Sequence, residues 1–201
     1  MKKVIILSVA IFCIAFMSFV TIDSLNIGDA LPKSSVVMKD VSGKSITLEA
    51  AKKENGLLVM FSCNTCPYVV KYQQRTQAIC AYAKKMNIGV VVLNSNEAQR
   101  TGDDSFTEMK QYAKTQNYQW FYAVDENNVL ADAFGANRTP ECFLFNKDLK
   151  LAYHGAIDDN ANEESKVERM HLQIAIDEMT AGKNIATTTS KSIGCTIKRK
   201  S

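Results

Sequence analysis

The chain has 201 residues, a formal charge of +3, 46% hydrophobic residues and 22% charged ones. That length suffices for one domain with a sizeable core, and the ordinary balance excludes a disordered chain and a multi-span membrane protein. With Lys2 and Lys3 assigned to a leader the charge is 3 − 2 = +1, too weak a basic field to argue for nucleic acid, and Lys198-Arg199-Lys200 reads as a solvated terminus.

Met1-Lys2-Lys3 and the apolar stretch Val4 to Ile22 read as an export signal or, because the stretch is just long enough to cross a bilayer, an uncleaved membrane anchor. Either way the expected location is outside the cytoplasm, periplasmic or tethered to the membrane facing the periplasm. A folded domain is predicted over 23–183 and a Thr/Ser/Lys-rich, extended or loosely packed tail carrying Cys195 over 184–201. The domain opens on a hairpin, with Val36-Val37-Met38 and Ile46-Thr47-Leu48 around a turn at Gly43, then a short helix near Glu49–Glu54. Leu57 to Phe61 is a buried strand. From Pro67 to about Met86 the apolar positions recur at threes and fours, which predicts a helix ended by Gly89, and Val90 to Leu93 follow as a second buried strand. Strand, helix, strand in this order is a parallel crossover.

Asn94 to Asp104 is a polar loop without periodicity. Ser105-Phe106-Thr107-Glu108 has the spacing of a capping box and starts a helix to about Thr115. Trp120 to Val124 is a strand, Asn128 to Phe134 a short helix closed by Gly135, and Cys142–Phe145 with Leu151–His154 a hairpin. A final amphipathic helix is predicted from Glu163 to Met179.

The chemistry concentrates in Cys63-Asn64-Thr65-Cys66-Pro67, which follows a buried strand and opens a helix. Two intervening residues let the thiols close a small disulfide ring, too small to stabilise a fold by chain entropy. A helix N-terminus offers unpaired N–H groups and a partial positive charge that favour thiolate over thiol. Proline suits the first helical position. The other prolines are Pro32 and Pro140, the latter in Arg138-Thr139-Pro140 just before a buried strand.

Phe61 to Tyr68, Gly102-Asp103-Asp104-Ser105, Gly135 to Pro140 and Gly194-Cys195-Thr196-Ile197-Lys198 together resemble the thioredoxin-fold redoxins. More narrowly they resemble the exported bacterial thioredoxin-like group related to peroxiredoxins and to the thiol–disulfide oxidoreductases of cytochrome maturation. The resemblance implies an α/β thioredoxin fold, a central mixed sheet flanked by helices with the N-terminal hairpin as an extension, over 23–183. It implies a thiol–disulfide oxidoreductase with Cys63 as exposed nucleophile, Cys66 as the more buried resolving thiol and no cofactor. It also implies a cis Thr139–Pro140 peptide lying against the pair as a substrate platform. The partners it implies are a protein thiol or disulfide substrate and an upstream redox protein.

This sequence departs from thioredoxin in two ways: Ser62 stands where Trp precedes the first cysteine, and Leu57 to Met60 offer no buried carboxylate. Glu141 is the nearest candidate for that proton acceptor, although a solvent-facing charge is the favoured reading of it. Peroxiredoxins place a Thr three residues before the peroxidatic cysteine; here that position is Cys63, which disfavours thiol peroxidase activity, the alternative function. Cys80 and Cys142 read as buried packing residues. Cys195, in a polar tail, is either an auxiliary redox thiol or a staple. A metal site is the weaker alternative: the second close cysteine pair of a zinc knuckle is absent, and His154 and His171 read as a strand residue and a helix-surface residue.

Overall fold

A computed structural model describes residues 24–200; the expected leader, residues 1–22, lies outside the described residues. The chain enters through a two-stranded antiparallel hairpin, β1 (Met38–Lys39) and β2 (Ser45–Ile46). Asp40 builds both its turn and its attachment to the body. One carboxylate oxygen accepts from Ser42 N and the other from Tyr122 N, each at 2.8 Å. The helix α1 (Leu48–Ala51) is capped by Thr47, whose hydroxyl accepts from Ala50 N.

Next come β3 (Leu57–Ser62), α2 (Pro67–Lys85), β4 (Gly89–Asn94), α3 (Phe106–Thr115), β5 (Phe121–Val124) and α4 (Val129–Phe134). A two-residue strand β6 (Arg138–Thr139) precedes the hairpin β7 (Glu141–Phe145) and β8 (Leu151–Gly155), and α5 (His171–Thr180) and β9 (Cys195–Thr196) complete the chain. The main sheet has the order β5-β4-β3-β7-β8. β3, β4 and β5 run parallel, and β7 and β8 add antiparallel beyond β3. β3 therefore sits at the centre with every residue buried, which is why its sequence is a continuous apolar run rather than an alternating one.

Alternate residues divide between two cores. Leu58, Met60, Val92 and Leu144 face α2, α3 and α5 through Tyr72, Ile79, Met109 and Leu172. Leu57, Val59, Phe61 and Phe143 face α1 and α4, where the Phe134 ring meets Phe61, Phe143 and Phe145 edge-on at 5.1–5.7 Å. Among the described residues no helix is long and apolar enough to cross a membrane.

Three expectations need correction. Helix α2 is ended by Asn87 in the left-handed region (φ 54) rather than by Gly89. Gly89 instead begins β4, at a place where a Cβ would run into the backbone of Ala51. The last helix begins at His171, not Glu163. The intervening segment is held as a loop by side chains: Asn160 Oδ1 accepts from Asn162 N and Glu163 N, and Asp159 Oδ1 from Glu168 N. Short Asn and Asp side chains that bind nearby N–H groups compete with a helix for its donors.

The third correction concerns the tail, which is extended, one of the two expected alternatives, but is hydrogen-bonded to the body instead of loosely packed. Thr188 O accepts from His154 N and Ser190 N donates to His154 O, both at 3.0 Å, so the segment covers the open edge of β8. Ser190 Oγ also meets Tyr153 OH at 2.6 Å and accepts from Ala156 N at 2.9 Å.

α2 is tied to the loop after β8 by a buried ion pair. Arg75 Nη1 lies 2.7 Å from Asp158 Oδ2 and donates to Asn160 O at 2.7 Å, while Tyr72 OH donates to Asp158 Oδ1 at 3.2 Å. Removing one partner strands the other charge away from water. Asp158→Ala is expected to cost about 3–5 kcal/mol in urea unfolding, and an apolar replacement of both partners, Arg75→Met with Asp158→Leu, to recover most of that loss.

Candidate active site

β3 delivers Cys63 one residue past its end, and Cys66 is the capping residue of α2 with Pro67 at the first helical position. The first helical bond, Val70 N to Cys66 O, measures 3.0 Å. From the other side comes Thr139, whose peptide bond to Pro140 is cis. Thr139 Oγ1 lies 3.6 Å from Cys63 Sγ, and its carbonyl oxygen 3.4 Å from Cys66 Sγ. The structure thus brings together Cys63, Cys66, Thr139 and Pro140.

It also brings in Cys195. Cys66 forms its disulfide with Cys195, 129 residues away and with Cα atoms 6.1 Å apart, and Cys63 is a free thiol. The small Cys63–Cys66 ring that the spacing permits is not the bond present. The reason lies in the tail's course. β9 pairs antiparallel with β6, setting Cys195 opposite Thr139 and Thr196 opposite Arg138, so the register itself carries Cys195 to the sulfurs. Cys63 is also not the exposed member of the pair: it is 1% exposed and Cys66 5%, with Tyr68, Val69 and Cys195 packed around them.

Burial changes the chemistry of Cys63. Loss of water raises its pKa, and the negative charge of Asp104 raises it further. The Thr139 hydroxyl and the backbone N–H groups of Cys66 and Thr65 pull the other way, and burial outweighs them. The helix N-terminus therefore does not make Cys63 a ready thiolate in this state. Cys80 and Cys142 are fully buried thiols, their pKa values raised by the same loss of water. Both face the α2 side of the core, away from the sulfur cluster.

Glu141 is buried, not solvent-facing, because it stands opposite Phe61 in the sheet interior. Its Oε2 accepts from Asn137 N at 2.8 Å and Arg138 N at 2.9 Å, and its Oε1 lies 2.8 Å from His154 Nε2. The imidazole stacks on Phe143 with centroids 4.2 Å apart. Glu141 thereby shapes the loop that presents Thr139.

The carboxylate beneath the dithiol is Asp104, which the sequence reading missed. It is fully buried. Its Oδ1 accepts from Asn64 N at 2.9 Å and Asn94 Nδ2 at 2.6 Å, and its Oδ2 from Asn96 Nδ2 at 2.8 Å. Tyr122 OH bridges Asn94 and Asn64, donating to Asn64 Oδ1 at 2.7 Å, and Asn64 Nδ2 donates to Asp103 O at 2.7 Å. Arg100 closes the loop by donating to Asp104 O and Asn94 O, both at 2.8 Å. A signal was present: four Asn and Asp side chains (Asn94, Asn96, Asp103, Asp104) crowd the segment directly after a fully buried strand. Among the described residues no group of three or more His, Cys, Asp and Glu is placed to hold a metal ion.

Residues 26–170 match the redoxin family. The crystal structure of a hypothetical protein from Sinorhizobium meliloti is similar, with a TM-score of 0.81 and 31% identity over 89% of this chain and 97% of that one. Two more distant likenesses carry the fold. A PrxQ mutant from Xylella fastidiosa gives a TM-score of 0.56 at 15% identity, over 80% of this chain and 98% of that one. The thioredoxin domain of a thiol-disulfide oxidoreductase from Bacteroides vulgatus gives 0.53 at 16%, over 65% and 89%. No protein of curated function matches the chain in sequence. The fold is the thioredoxin fold, as the motifs imply.

Asp104→Asn keeps the shape but swaps an acceptor for a donor facing other donors. The expected cost is about 1–3 kcal/mol in denaturant unfolding. Because the carboxylate charge raises the Cys63 pKa, its removal should move the pH profile of Cys63 alkylation downward. Peptide-resolved mass spectrometry with iodoacetamide measures this; an upward shift would contradict the electrostatic account.

Proposed function

The chain belongs to the redoxin family, and from that membership we propose that it is a thiol–disulfide oxidoreductase working through Cys63 and Cys66. One observation carries the reading: a free thiol and a disulfide-bonded sulfur sit side by side at a helix N-terminus, both against the Thr139–Pro140 segment. Stable staples have no need of a neighbouring free thiol. Sulfurs that exchange partners do.

The cycle runs from the reduced pair. Cys63, deprotonated, attacks one sulfur of a substrate disulfide; a mixed disulfide forms and the second substrate sulfur leaves as thiolate. Cys66, as thiolate, then attacks the Cys63 sulfur, closing Cys63–Cys66 and releasing the first substrate sulfur. The substrate gains two electrons and the pair loses two. Run backwards, the same steps oxidise a dithiol, so the direction follows from the redox partner's potential. Thr139 contributes its hydroxyl to the Cys63 sulfur, and its main chain, which β9 occupies in this structure, would take an extended substrate segment once β9 is displaced.

An exchange enzyme of this kind acts on a protein or small-molecule disulfide and is recharged by a second redox partner. The leader-like start, Met1-Lys2-Lys3 with the apolar run to Ile22, supports work outside the cytoplasm, where such substrates persist. A cleft of about 260 Å³ lined by Asn64, Thr65, Glu108 and Tyr112 opens beside the turn between the two cysteines.

Reduction of insulin or of a model disulfide with dithiothreitol tests the reading. Wild-type protein should exceed the uncatalysed rate, and Cys63→Ser should fall back to the rate of dithiothreitol alone. Unimpaired turnover in that variant would remove Cys63 as nucleophile. Hydrogen peroxide consumption well above that of free cysteine, dependent on Cys66, would favour a peroxidase instead.

A further inference from the structure

We propose that Cys195 is a third redox thiol, a relay through which an external thiol exchanges electrons with Cys66. The inference rests on the oxidoreductase reading and adds the route by which the site is recharged.

Four observations support it. The only disulfide among the described residues is Cys66–Cys195, and Cys63 beside it is reduced. Of the three sulfur-bearing residues only Cys195 keeps an appreciable part of its surface in water; Cys63 and Cys66 are 1% and 5% exposed. β9 occupies the edge of β6 opposite Thr139, the main chain that an exchanging segment would pair with. The backbone is also fitted to that place: a Cβ at residue 194 would collide with the Thr139 carbonyl, so Gly194 is what lets the strand approach.

The segment beyond Cys195 holds the strand in register without the disulfide. Ile197 is buried and donates its N–H to Asn137 O at 3.1 Å. Lys198 N donates to Asn96 Oδ1 at 2.9 Å, Lys198 O accepts from Ala98 N, and Arg199 pairs with Asp132 at 2.9 Å. A staple would need less; a thiol that must return to the same sulfur after each opening needs this guidance.

The steps balance. After substrate reduction the pair is the Cys63–Cys66 disulfide. Cys195, as thiolate, attacks Cys66 Sγ; the Cys66–Cys195 bond forms, the Cys63–Cys66 bond breaks, and Cys63 leaves and takes up the proton that Cys195 lost. No electrons are gained or lost in that step, and its product is the arrangement in the structure. An external dithiol then attacks Cys195, the most exposed of the three residues. Cys66 leaves as thiolate at the N-terminus of α2. The second thiol of the reductant displaces Cys195, giving an oxidised reductant and three reduced cysteines.

Glutathione, a monothiol, traps the recharging step. Oxidised full-length protein is mixed with glutathione, quenched in acid, alkylated and mapped by mass spectrometry, and steady-state disulfide reduction with dithiothreitol is measured in parallel. The expected adduct is on Cys195 with Cys66 alkylated, and Cys195→Ser should lower steady-state turnover roughly tenfold or more. Gly194→Ala, which keeps all three thiols, should slow the conversion of Cys63–Cys66 to Cys66–Cys195. A Cys66–Cys195 bond that survives turnover, an adduct on Cys66, or wild-type turnover in Cys195→Ser would overturn the relay while leaving the oxidoreductase standing. Wild-type protein that fails to reduce any disulfide would overturn both.

Discussion

A carboxylate without water must have its lone pairs filled by donors that cannot drift, and Asp104 is filled from three directions at once. Asn64 N belongs to the dithiol turn, and Asn94 Nδ2 and Asn96 Nδ2 to the end of β4 and the loop after it. Asn96 in turn accepts from Lys198 N in the tail. Leaving any of these groups unpaired in a low-dielectric interior costs more than the bond contributes when made. The turn, the loop and the tail are thus held to one mutual arrangement, and the sulfur geometry follows from it.

That arrangement also sets the balance at Cys63. The N-terminus of α2 and the Thr139 hydroxyl favour the thiolate, while burial and the Asp104 charge oppose it, and burial dominates. Part of the cover over Cys63 is Cys195, which belongs to the two-residue strand β9 and is joined to Cys66 by the disulfide. In the relay proposed above, opening of that disulfide would free Cys195 to move, and a less buried Cys63 would lose part of the desolvation that raises its pKa.

The parts of this molecule that were legible in the sequence are those governed by local periodicity and turn chemistry. The buried strands at Leu57 and Val90, the helix from Pro67, and the capping box at Ser105, whose hydroxyl accepts from Glu108 N, all follow from spacing that neighbours decide among themselves. Cys63, Cys66, Thr139 and Pro140 meet where the resemblance implies. What was not legible depends on pairings across long separations. Glu141 looks like any surface charge until the sheet sets it opposite Phe61. Asp104 sits in a stretch with no periodicity, and its importance lies in partners from three segments. Cys195 offers no local clue to Cys66, because the register of β9 on β6 is fixed by Gly194, Ile197 and Lys198 acting together. The early start assigned to the last helix failed for a local reason, Asx turns outcompeting a helix whose apolar pattern was real only from His171.

The tail answers two physical problems with one segment. Sheets with open edges leave rows of unpaired N–H and C=O groups, which favour unwanted pairing with other chains. Residues 188–190 satisfy that row on β8 through His154, and Cys195 with Thr196 do the same for β6. The two coverings differ in what lies beneath. Under the first are only core side chains and the Tyr153–Ser190 bond; under the second are the sulfurs. A contiguous strand docked across both would have more backbone hydrogen bonds to break before it could leave. The chain instead makes the second contact short, two residues long, and anchors it on both sides, at Ser190 and at Lys198. A short strand between fixed anchors can detach locally while its ends stay placed, which is what an exchanging cysteine requires and a structural cross-link does not.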